Sequence, residues 1–100
     1  MSVNWSICDC QDVTRFSNNA FKELIKELKR AGIRFNKYEL NVPYYSGIWG
    51  SDFCGEILHV FSEVSDRLIE KDTNWIETLP DIVRAIAEVA HDSSKLLKID

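Results

Sequence analysis

Apolar and polar positions change their period several times along this chain, and each change marks an element. Val3, Trp5 and Ile7 alternate with Ser2, Asn4, Ser6 and Cys8, the two-residue period of a short strand buried on one face. From Val13 the interval lengthens. Val13, Phe16, Ala20, Phe21, Leu24, Ile25 and Leu28 recur at helical spacing, with Asp12 or Ser17 as N-cap and Lys29-Arg30 near the C-terminal end, where the helix dipole favours cations. Gly32 stands where a left-handed residue closes a helix, and Ile33 where a Schellman motif places its apolar contact. Ala31-Gly32-Ile33 is therefore the predicted helix stop.

Residues 33–42 carry two phases. Ile33 and Phe35 alternate in one, and Tyr38, Leu40 and Val42 in the other. The break fits either one strand bulged at Asn36-Lys37 or a hairpin that sets Phe35 opposite Tyr38 and Arg34 opposite Glu39. Pro and Gly predict a loop over 43–50, although it contains Tyr44, Tyr45 and Trp49. A second helix begins after Ser51 or Asp52, buries Phe53, Ile57, Val60, Phe61, Val64 and Leu68, and ends near Lys71-Asp72. Asn74 and Glu77 have capping-box spacing. Pro80 would cost about 3 kcal/mol inside a helix, which predicts a short turn over 74–78 and a third helix from near Pro80 to about Leu97. These elements predict a single α+β domain over residues 1–100, a small two- or three-stranded sheet packed against three helices. An all-α bundle is the alternative.

Charge changes the picture most. Residues 1–50 hold seven Lys/Arg against five Asp/Glu, and residues 51–100 hold five against eleven, so the net charge of −4 is concentrated in the second half. On a helical projection, Asp52, Glu56, Glu63, Asp66 and Glu70 fall within an arc of about 80°, with His59 among them. The buried stripe of the same helix is centred about 150° away. Such a face repels nucleic acid and attracts a basic partner, while an ordinary solvated helix face has the same pattern. Apolar residues at 45% argue against disorder, and no apolar run approaches the roughly 20 residues of a membrane span. The N-terminal residues lack the basic and apolar regions of a secretory signal, and three cysteines form no even-numbered disulfide framework. The expected compartment is the cytoplasm.

The candidate chemistry is thin. Cys8, Cys10, Cys54, His59 and His91 supply zinc-ligand types without zinc-ligand spacing, so neither a metal nor any other cofactor is expected. Cys54 lies in the first turn of a helix, where a thiol is activated, but His59 at i+5 diverges from it by about 140°. Phosphate-binding, zinc-protease and nucleophile-elbow motifs are all missing, and the chain reads as a binding protein rather than an enzyme. Tyr44, Tyr45 and Trp49 either cap the core or serve in recognition, where Tyr and Trp are enriched. With Asp52, Glu56, His59 and Glu63 they form the candidate partner-binding set. The basic positions of the first helix, Lys22, Lys26, Lys29 and Arg30, interleave with Glu23 and Glu27 and read as self-neutralising pairs.

An acidic domain with an aromatic loop beside a carboxylate stripe resembles, in kind, the bacterial immunity proteins and antitoxins that plug the basic active sites of nucleases. Colicin-nuclease immunity proteins use a Tyr-Tyr pair next to an acidic helix. Here Tyr44-Tyr45 follows Pro43 and precedes the acidic helix, whereas that family places the pair before proline and after its helix. The likeness is one of surface chemistry, and no family residue is carried over. It implies an inhibitor, bacterial or phage-encoded, whose partner is a basic protein such as a toxin nuclease or a nucleic-acid-handling complex, with no direct contact to nucleic acid or membrane. The alternatives are a homodimeric structural subunit and a small thiol-dependent enzyme on Cys8, Cys10 or Cys54.

Overall fold

The computed structural model describes residues 2–7, 11–35 and 47–99. Strand β1 (Ser2–Ile7) follows the predicted alternation, with Val3, Trp5 and Ile7 buried. The next segment departs from expectation. Gln11–Ser17 is strand β2, antiparallel to β1, and helix α1 covers only Asn18–Arg30. Val13 and Phe16 mimic a helical interval because β2 is bulged. The register shifts between Trp5 and Ser6, so that Thr14 faces Trp5, Asp12 faces Ser6 and Val13 is the extra residue. Cross-strand pairing thus outweighs local helical spacing here.

Ser17 ends the strand and caps the helix, its Oγ accepting the Ala20 N–H at 3.1 Å. The predicted stop is present. Gly32 has φ 102°, the Ile33 N–H donates to the Leu28 carbonyl and the Gly32 N–H to that of Lys29, which is the full Schellman pattern. Ile33–Phe35 carries no strand, and the rest of the predicted strand or hairpin lies outside the described residues, as do Tyr44 and Tyr45.

The predicted loop contains a strand. Gly47–Trp49 is β3, and Gly50 then leads into α2 (Ser51–Lys71), which ends as predicted and starts at Ser51 itself, with Gly50 rather than Ser51 or Asp52 at the N-cap. Helix α3 (Trp75–Ala90) runs straight through Pro80 instead of starting there. Pro80 has no N–H to donate to the carbonyl of Ile76. Both residues are exposed, so water can take the place of the lost bond. The capping box is not formed: Asn74 makes no side-chain cap, and Asp72 Oδ1 instead accepts the Asn74 N–H at 3.0 Å. The third helix also ends early. Asp92 closes a turn by accepting from the Ser94 N–H and hydroxyl, and Leu97–Ile99 forms strand β4.

The protein has the predicted α+β class, with four strands among the described residues rather than two or three. Their order is β2-β1-β4-β3, every pairing antiparallel. The C-terminal strand is central, pairing with β1 on one side and β3 on the other. Alternation then sorts the faces. Val3, Trp5, Ile7, Trp49, Leu97 and Ile99 are buried with the core residues of the helices, while Asn4, Arg15, Ile48 and Lys98 occupy the opposite face. Trp49 packs edge-on against Trp5 and Phe53, with ring centroids 5.3 and 5.2 Å away.

Candidate surface for a partner

The surface that stands out is the outer side of α2. Its orientation follows from the helix's own sequence: Phe53, Cys54, Ile57, Phe61, Val64 and Leu68 are buried, which turns Asp52, Glu56, His59, Glu63, Asp66 and Glu70 outward. All six are exposed. The two cations of the helix are already engaged. Arg67 pairs with Glu63 at 2.6 Å, and Lys71 reaches across to α1, 3.4 Å from Glu23 and 3.9 Å from Glu27. Asp52, Glu56, Asp66 and Glu70 have no ion pair among the described residues. Asp52–Glu56, Glu63–Asp66 and Asp66–Glu70 are like-charge neighbours at i+3 or i+4, each costing roughly 0.2–0.5 kcal/mol of helix stability. Like-charge neighbours occur at the same spacings on α1, as in Lys22–Lys26, Glu23–Glu27 and Lys26–Arg30, but there they are of both signs, whereas on α2 they build a face of one sign.

The structure corrects the place of Trp49. It is 0% exposed at the centre of the aromatic cluster, because alternation on β3 turns it inward beside Leu97. The indole is a core group, not a surface anchor. Of the other residues expected on the partner surface, Asp52, Glu56, His59 and Glu63 stand together on α2, and Tyr44 and Tyr45 lie outside the described residues.

Cys54 is also a core residue. Its Sγ lies 4.0 Å from the Trp49 carbonyl, and burial pushes the thiol up to about 12, away from the thiolate that nucleophilic chemistry requires. Among the described residues, no group of three or more His, Cys, Asp or Glu is arranged to hold a metal ion, and no helix is long and apolar enough to cross a membrane.

Two features escaped the sequence. The first is the link at the α1–α2 contact, where Glu27 is wholly buried and held by Arg30 at 3.1 Å and by Lys71. Its i+3 partner was legible, but the partner 44 positions away, Lys71, was not. The second is an open groove of about 580 Å3 between α2 and α3, bordered by Leu58 and Ile69 on one side and Ile76 and Val83 on the other. Its signal was a set of apolar residues on the helix flanks, between the buried and charged stripes. Asp66 lines this groove as well as belonging to the acidic face. Compared with protein-family models, curated proteins and solved structures, the chain matches none.

Proposed function

We propose that this chain is a small acidic inhibitor of the immunity-protein or antitoxin type. In this reading it acts in the cytoplasm and occludes a basic, nucleic-acid-handling protein. The observation that carries the reading is the outer face of α2: five carboxylates and one imidazole, all exposed, with a single cation among them already paired to Glu63. The face lies in the acidic half of the chain, where eleven Asp/Glu stand against five Lys/Arg. Here like charges are set side by side at a cost to the helix, which supports a use outside the fold.

The mechanism is occlusion. Asp52, Glu56, Asp66 and Glu70 oppose the Lys and Arg with which the partner would hold substrate phosphates, which speeds encounter and makes it salt-sensitive. Tyr44 and Tyr45 precede this helix in the chain and supply the anchoring aromatics of the proposal; Trp49 does not. The test is capture from the native host with the wild-type chain and with Glu56→Lys/Glu70→Lys. A basic protein held by the first and lost by the second, whose action on nucleic acid is stopped by stoichiometric inhibitor, is the expected result. Capture that ignores the reversal, or a partner left fully active, would sink the reading.

Homodimerisation is the second reading. It draws on Ile48 and Leu96, which are 58% and 47% exposed on β3 and just before β4. Sedimentation at micromolar concentration decides it: a concentration-independent monomer removes it.

A further inference from the structure

The α2–α3 groove lies alongside the acidic face and has its own chemistry. Ser51 at the start of α2 donates to the Ala90 carbonyl at the end of α3, and only residues 72–74 join the other ends, so the helices run antiparallel. On α2, Leu58, Ser62, Ser65 and Ile69 follow one another at i, i+4, i+7 and i+11. On α3, Ile76 and Val83 complete the facing wall at i and i+7. Ile76 is 56% exposed, an apolar side chain on the rim. The wall from Leu58 to Ile69 spans about 17 Å, three turns of a guest helix. Ser62 and Ser65 are small enough to let a guest backbone come close.

We infer that this groove seats an amphipathic helix of the basic partner, with its apolar edge between α2 and α3 and its Lys and Arg along the α2 carboxylates. The inference rests on the acidic-face reading and names the partner element that would meet it. Charge complementarity selects the occupant. Asp66 lines the groove, and Glu63 and Glu70 lie just beyond it on the same helix, so one flank of the guest should be basic. On α3 the groove is lined by Ile76, Leu79, Pro80 and Val83, none of them charged, so the other flank should show no such demand. An extended strand would leave its backbone groups without partners between two helices. A second copy docked through the same face would set one carboxylate stripe against another.

A displayed library of helical peptides of about 18 residues, varied in apolar spacing and in flank charge, tests this directly. It is selected on the wild-type chain and counter-selected on Ile76→Glu and on Ser62→Trp. Both changes fall on exposed positions, and circular dichroism confirms the fold. The expected winners carry apolar residues at i, i+3 or i+4 and i+7 with Lys or Arg on one flank. Their affinity should fall at least about tenfold in each variant. No enrichment over the starting library overturns the inference. Basic winners without apolar spacing, indifferent to both variants, overturn it alone and leave the acidic-face reading standing. Apolar winners with no basic flank and no salt dependence overturn both.

Discussion

Replacing Trp49 by alanine separates a core indole from a surface anchor. The side chain is fully buried and meets Trp5, Phe53 and Phe35 at centroid distances of 5.3, 5.2 and 6.1 Å. Removing a buried Trp forfeits its transfer free energy and leaves a cavity, about 3–5 kcal/mol in all. A domain of this size has a total stability of about 5–15 kcal/mol, so the loss is a large share. With a urea slope of roughly 1.3 kcal/mol/M, the unfolding midpoint should fall by about 2–4 M. Trp49→Phe should cost less than half as much. It keeps a ring in the cluster and removes Nε1, a buried donor without a hydrogen-bond partner among the described residues. The assay is urea unfolding followed by far-UV circular dichroism, with the slope checked for constancy. A midpoint within about 0.4 M of wild type for Trp49→Ala would refute the reasoning, because that is the effect of a surface change.

Three further outcomes follow from other sites. Glu27→Met should raise stability by about 1 kcal/mol, because Glu27 is buried with Oε2 unpartnered among the described residues while Arg30 and Lys71 both reach water; a loss of stability in urea contradicts this. Cys54 titrates near 12 in the fold against 9.0 unperturbed, so its contribution is intact below pH 9 and lost as pH rises from 9 towards 12. The slope approaches roughly 1.4 kcal/mol per pH unit, and Cys54→Ala should flatten it in unfolding curves between pH 9 and about 10.5. The Asp92 carboxyl is held below its usual range, first by the Ser94 hydroxyl and then by the Ser94 N–H; Ser94→Ala should move its NMR titration upward.

Legibility followed the range of the interactions. The α1 stop, the end of α2 and the outward turn of its carboxylates were readable because each is set within a few residues, by Gly32 and Ile33 in one case and by helical spacing in the other. β2, β3 and β4 were not. Gly47–Trp49 and Leu97–Ile99 are three residues each, too short to show a period, and they become strands only by pairing with each other and with β1. The bulge at Val13 turned a strand into an apparent helix start. Trp49 was misplaced for the same reason: its burial depends on which face of β3 looks at the core, and β3 exists only beside the last strand. Pro80 was read as a boundary because a proline inside a helix loses a hydrogen bond, whereas here Pro80 and Ile76 both lie on the exposed side, where water can replace it.

In the proposed function the carboxylates of α2 steer a basic partner onto this face. Once that partner is purified, the direct measurement is its association rate with wild type and with Glu56→Lys/Glu70→Lys as ionic strength rises from about 0.05 to 0.5 M, over which the screening length shortens about threefold. The wild-type rate should fall at least about tenfold with salt, and the variant should be slow and nearly flat. Equal rates with equal salt dependence in the two proteins would contradict it.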